Sequence, residues 1–162
     1  MNMKQILKVL VLAIVIAALN VTSVMAANPH FIWASDSVTS SGQLVVAWKE
    51  AGLGNNVRVT YEATANSVAT WGCINGGGKH PQAANKETVA GPVSATDEFI
   101  SGKNGQITDS LTFGPIPATP DFSCPPGQKL HLLEVSYDQV ELTDVTNGLY
   151  VALPDVSRVF FP

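Results

Sequence analysis

"VRVTYEATA", Val57 to Ala65, decides how the rest of this chain is read. Val57, Val59, Tyr61 and Ala63 fall on one parity; Arg58, Thr60, Glu62 and Thr64 fall on the other. A period of two is the signature of a strand with one buried and one wet face. A helix would need apolar residues at i, i+3, i+4 and i+7, and no window of the mature chain shows that spacing over three turns.

Strand patterns recur on both sides of this stretch. "HFIWASDSV" (His30 to Val38) reads as a first strand, and "QLVVAWKE" (Gln43 to Glu50) places Leu44, Val46 and Trp48 on one face. "VATWGCI" (Val68 to Ile74) carries the first cysteine. "EFISGKNGQITDSLTF" (Glu98 to Phe113) reads as a hairpin, with Lys103 to Gly105 supplying positive-φ residues at its tip. Residues 114–127 contain five prolines, which exclude a central strand and predict a crossover between sheets. "KLHLLEVSYDQVELTD" (Lys129 to Asp144) is a strand pair or one bent strand. The parity of Leu133, Val135 and Tyr137 is opposite to that of Val140 and Leu142, so an extra residue near Asp138 and Gln139 is expected. Turn residues punctuate these runs every eight to twelve positions. The pattern predicts an all-β protein, specifically an immunoglobulin-like antiparallel β-sandwich.

The amino-terminal segment has the form of an export signal. Lys4 and Lys8 precede an apolar core from Val9 to Leu19, too short for a bilayer span of about 20 residues. Val24 to Ala26 supplies the small residues that a signal peptidase reads. Residues 1–26 are therefore expected to be a cleaved signal peptide and residues 27–162 a single domain, with cleavage after Ala27 as the alternative. Seven of the nine basic residues and all 13 acidic ones then remain, for a net charge of about −6. That balance disfavours nucleic acid or an anionic membrane as the main partner. The expected location is extracellular, or periplasmic if the cell has an outer membrane.

Cys73 and Cys124 are the only cysteines. In an exported chain they are expected to form a disulfide, worth about 4 kcal/mol in the chain-entropy model. Directly after Cys73 comes "CINGGGKHPQAANK", residues 73 to 86. Consecutive glycines are costly to order. One reading is a sharp structural turn held by the disulfide and stiffened by Pro81. The other is a ligand loop of Asn75, Gly76, Gly77, Gly78, Lys79, His80, Asn85 and Lys86, with backbone N–H groups converging on an anion. No Gly-Lys-Ser/Thr follows, so the loop is not a P-loop.

Catalytic signals are weak. No nucleophile-elbow or zinc-protease motif occurs, and no catalytic residue, metal ligand set or cofactor is assigned. His30 lies near the mature terminus, but Pro29 lacks the N–H that amino-terminal copper binding would use. His131 alternates with Leu130 and Leu132 and is expected on an outer strand face. Asp138, Glu141, Asp144 and Asn147 read as a solvated acidic edge. Trp48 shares the core parity of its strand. Trp33 and Trp71 are candidates for an aromatic contact with a sugar, against core packing beside the disulfide.

The run Cys73-x-Asn75-Gly76-Gly77-Gly78-x-x-Pro81-x-x-x-Asn85-Lys86 resembles one shared by a family of small exported microbial proteins. The resemblance extends to His30-Phe31, Lys49 to Gly54, Gly91 to Ala95, Ser101 to Gln106 and Cys124 to Gln128, nearly the whole mature chain. It implies an exported, disulfide-bonded β domain and carries over no activity. The expected function is that of a non-catalytic binding or extracellular-matrix-associated module whose partner is a carbohydrate or a surface protein. The alternatives are a small extracellular hydrolase using carboxylates and His80, and an inhibitor or effector acting on another protein.

Overall fold

The computed structural model describes residues 28–75 and 85–161. The export segment and residues 76–84 of the glycine-rich loop, with Gly76, Gly77, Gly78, Lys79 and His80, lie outside the described residues. Eight strands are found among those described: β1 (His30–Val38), β2 (Leu44–Ala51), β3 (Arg58–Asn75), β4 (Lys86–Ile100), β5 (Ile107–Phe113), β6 (Gln128–Asp144), β7 (Leu149–Ala152) and β8 (Val156–Val159).

The strands form two antiparallel sheets. One has the order β1-β2-β5; the other has the order β4-β3-β6-β7, with β8 also paired to β6. The sheets face each other as an immunoglobulin-like sandwich. Alternation builds the space between them. Leu44, Val46 and Trp48 of β2 meet Val59, Tyr61 and Ala63 of β3 and Val135, Tyr137, Val140 and Leu142 of β6, all buried in one cluster. Burying each larger apolar side chain contributes about 1.5–3 kcal/mol relative to exposure. Trp48, Tyr61 and Phe99 form an aromatic nucleus with ring centroids 4.6 to 5.8 Å apart.

The parity conflict in β6 resolves as a bulge. Asn66 pairs with Asp138, but Thr64 pairs with Glu141. Gln139 takes a left-handed φ of 50°. One extra residue therefore lets Tyr137 and Val140 both face inward. A second shift, unforeseen in the sequence, lies where Thr70 pairs with Glu134 but Trp71 pairs with Leu132. On the other edge of β6 the Leu133 carbonyl accepts the N–H of Phe160 at 2.8 Å, extending the ladder with β8.

Two expectations are corrected, and one strand was not foreseen. The segments Val57 to Ala65 and Val68 to Ile74 are one strand, β3. Asn66 does not turn the chain; its amide bonds outward to Asp138 (3.1 Å) and Gln139 (2.8 Å). The Glu98 to Phe113 segment is not a hairpin. Ile100 pairs with Arg58 of β3, whereas Ile107 pairs with Glu50 of β2, so the chain changes sheets at the turn. Gly105 does supply a positive φ of 68° there. The same turn chemistry serves an in-sheet hairpin and an arch between sheets, and the buried side chains of β5 select the arch. The unforeseen strand is β4, whose sequence is interrupted by Gly91 and Pro92. Among the described residues it pairs with β3 alone, and an edge strand tolerates the missing N–H of Pro92.

Candidate functional site

β3 is long enough to run past the end of the smaller sheet. From Tyr61, bonded to the end of β2, to Trp71 is ten residues, roughly 33 Å of extended chain. The inward face of that overhang needs a cover, and the proline-rich crossover supplies it. The crossover is fastened at several points. Trp71 Nε1–H donates to the Ile116 carbonyl at 3.1 Å. The backbone N–H and hydroxyl of Thr119 donate to Glu87 at 2.9 and 2.5 Å. Cys73 and Cys124 form the disulfide, with Cα atoms 5.5 Å apart. The bridge thus ties strand β3 to the crossover, rather than one sheet directly to the other.

Beside the crossover, on the β6 and β8 side, the cover is incomplete. An open cleft of about 460 Å³ remains, lined by Ser40, Ser41, Trp71, Leu130, His131, Leu132, Phe160 and Phe161. Register explains the set. Trp71 pairs with Leu132, Gly72 with His131 and Cys73 with Leu130. The His131 and Phe161 rings meet edge to face at 5.6 Å. Arg158 lies over the Phe160 ring at 5.4 Å from its centroid. Leu130 and Phe161 are exposed, and Trp71 is half-buried. The turn at residues 39–43 forms the opposite wall, with Gly42 at a φ of 88° packed against Leu132. The cleft is therefore a hollow of mixed polarity, with aromatic and aliphatic side chains beside two hydroxyls and one imidazole.

The described ends of the glycine-rich loop leave from this same corner. Asn75 closes β3, and Lys86, which pairs with Gly72, opens β4. Asn75 and Lys86 are exposed and Asn85 is half-buried. Trp71 sits in the cleft, but Trp33 does not join it. Trp33 pairs with Lys49 on the outward side of the smaller sheet, at the opposite end of the sandwich. A smaller depression of about 330 Å³ on the outer face of the larger sheet is lined by Glu62, Asn66, Pro92 and Gln139 among others. Its amide groups are already bonded to one another.

The opposite end holds a second cluster. Glu50, Tyr61 and Asp144 are fully buried. The Tyr61 hydroxyl donates to Glu50 Oε2 at 2.8 Å. Asp144 accepts the backbone N–H and the side-chain amide of Asn147 at 2.9 and 2.6 Å. Burial pushes the Glu50 carboxyl up to about 7, against the Tyr61 hydrogen bond and with the nearby Asp144 charge adding to the rise. Burial also raises the Tyr61 phenol, reinforced by Glu50. The solvated acidic edge read from Asp138 to Asn147 is thus corrected: β6 is an interior strand, and the bulge at Gln139 turns Asp144 inward. Glu50 was legible, since it shares the inward parity of Leu44, Val46 and Trp48.

Among the described residues, no group of three or more His, Cys, Asp or Glu side chains is arranged to hold a metal ion. No helix there is long and apolar enough to cross a membrane. Comparison with family models, curated proteins and solved structures found no match to the chain.

Proposed function

We propose that this is an exported, non-catalytic binding module that takes its ligand in the cleft beside the crossover. The observation that carries the reading is the grouping of Trp71, Leu130, Leu132, Phe160 and Phe161 in an open hollow. A sandwich of this size has ample core in which to bury such side chains, and a concave apolar site with a few polar groups at its rim is the usual form of a ligand site. Export is supported by the form of residues 1–26 and by the disulfide, which persists in oxidising compartments.

The ligand class favoured is carbohydrate. Aromatic faces offer stacking surface for the C–H face of a sugar ring, and Ser40, Ser41 and His131 offer hydrogen bonds beside them. A surface protein is the alternative partner. The hydrolase reading has less support. Its best carboxylate pair, Glu50 and Asp144, is sealed from solvent at the far end, and His80 lies outside the described residues.

The test is retention of the purified mature protein on insoluble cellulose, chitin and peptidoglycan, with Trp71→Ala, Phe161→Ala and Trp33→Ala variants. Loss of retention in the first two, with Trp33→Ala unchanged, is the expected result. Phe161→Ala guards against a folding defect, because its side chain is exposed. Retention by all three variants, or by none of the wild-type tests, removes the cleft as a glycan site.

A further inference from the structure

The Glu50, Tyr61 and Asp144 cluster does nothing for the cleft, and its geometry is costly unless a proton is present. Glu50 is the penultimate residue of β2 in one sheet; Asp144 ends β6 in the other. Both are fully buried. Both Asp144 oxygens accept hydrogen bonds from Asn147. Glu50 Oε2 is occupied by the Tyr61 hydroxyl, but Glu50 Oε1 is buried with no hydrogen-bond partner. An orphaned, buried carboxylate oxygen is expensive, and it becomes satisfied if it carries a hydrogen to donate. Asp144 is the register partner of Tyr61, whose hydroxyl bonds Glu50, so Asp144 shares the buried site as the candidate acceptor for that hydrogen.

Among the described residues no cation faces the pair. From β3 the facing polar group is the Tyr61 hydroxyl, and from β6 it is Asp144. In the smaller sheet the flanking partners of Glu50 are Phe31 of β1 and Ile107 of β5, both uncharged. β4 contributes the Phe99 ring, which packs on Tyr61. The charged residues of these segments are directed elsewhere. Lys49 has the outward parity of β2, His30 bonds the Asn28 carbonyl, and Arg58 is paired with Glu98 at the surface. Two carboxylates in one sealed site cannot both ionise without strong repulsion.

We propose that Glu50 and Asp144 form a proton-held clasp between the two sheets, closed while Glu50 is protonated and released when that proton leaves. Release sets like charges against each other where β2 meets the β6–β7 turn. That turn hangs on Asp144, whose backbone carbonyl also accepts the Gly148 N–H at 2.9 Å. The loosened region is therefore this end of the sandwich, remote from the cleft.

The sign follows from linkage. The folded state holds the Glu50 proton up to about 7, whereas the unfolded chain releases it near 4.5. The contribution to stability is whole below the unfolded value and is lost as pH rises between the two. With tenfold per pH unit, the folding constant falls by roughly 300-fold across that window.

The experiment is equilibrium unfolding of the disulfide-intact mature chain from pH 4 to pH 8, for wild type and Glu50→Gln. Gln keeps an acceptor for Tyr61 and supplies a permanent donor toward Asp144. The expected result is a fall in wild-type stability between pH 4.5 and 7 that is missing in Glu50→Gln, with the variant the more stable at pH 8. Parallel profiles overturn the clasp. If Glu50→Gln does not fold, carbon-13 titration of the wild-type Glu50 carboxyl decides. A midpoint near neutrality supports the proposal, and one in the ordinary glutamate range overturns it. Hydrogen exchange adds location: amides of residues 144–148 are expected to exchange faster above neutral pH, ahead of those near Trp71. A uniform change along the chain overturns the local release.

Discussion

The wall of the cleft provides the sharpest quantitative test. Gly42 has a φ of 88°, and a Cβ built there would collide with Leu132 Cδ2 and lie 3.6 Å from Phe160 Cζ. Its carbonyl accepts the buried Tyr137 hydroxyl at 2.6 Å, so the backbone is not free to move away. In Gly42→Ala the left-handed backbone costs about 1–2 kcal/mol. Overpacking against Leu132 adds about 1–3 kcal/mol. Leu132 borders the open cleft and can swing into it, which favours the lower half of that range, so the sum is about 2–4 kcal/mol. Leu132→Ala alone removes half-buried carbons and costs about 1–2 kcal/mol. In the double variant the collision partner is gone, and only the backbone cost and the truncation cost remain. The cycle should therefore show a favourable coupling of about 1–2 kcal/mol, read from urea unfolding of all four proteins. Additivity within about 0.5 kcal/mol would refute the packing argument. A Leu132 side chain displaced into the cleft should also weaken retention on any glycan that the wild type binds, although no aromatic residue has been changed.

Further outcomes follow from the same contacts. Replacing both cysteines with serine releases a bridge spanning 51 positions and should cost about 4 kcal/mol in denaturant unfolding, and reduction of the wild type should match it. Tyr137→Phe leaves the Gly42 carbonyl without its buried donor and should cost about 1–2 kcal/mol, measured the same way. Glu87→Gln should weaken the hold on the crossover, seen as faster hydrogen exchange at the Thr119 amide with little change in global stability. Glu50→Gln should flatten the stability profile between pH 4.5 and 7, the wild type being the less stable at the upper end.

How much of the site was legible differs from residue to residue. Trp71 drew attention through its place two residues before Cys73. Its companions Leu130, Leu132, Phe160 and Phe161 did not, because they come from β6 and the carboxyl terminus and look like ordinary strand residues. The bulge at Leu133 does leave a mark, since apolar parity passes from Leu130 and Leu132 to Leu133 and Val135, but two adjacent leucines conceal it, unlike the one at Gln139. Trp33 looked equivalent to Trp71 and lies on the outer side of the other sheet. Glu50 shared the parity of Trp48, yet its partner Asp144 sits 94 positions away.

What the chain alone determined is local. Period-two alternation specifies strands and their buried faces, because side chains of an extended backbone must point alternately to opposite sides. Glycine and proline mark where the chain turns, because they set or free φ. A lone pair of cysteines allows one pairing. Which strand lies beside which was decided only in three dimensions. A turn such as Lys103 to Gly105 serves a hairpin or an arch equally well, and only the competition for buried surface between two sheets distinguishes them. The overhang of β3, the cover provided by the crossover, the cleft left beside it and the meeting of Glu50 with Asp144 are all consequences of that competition.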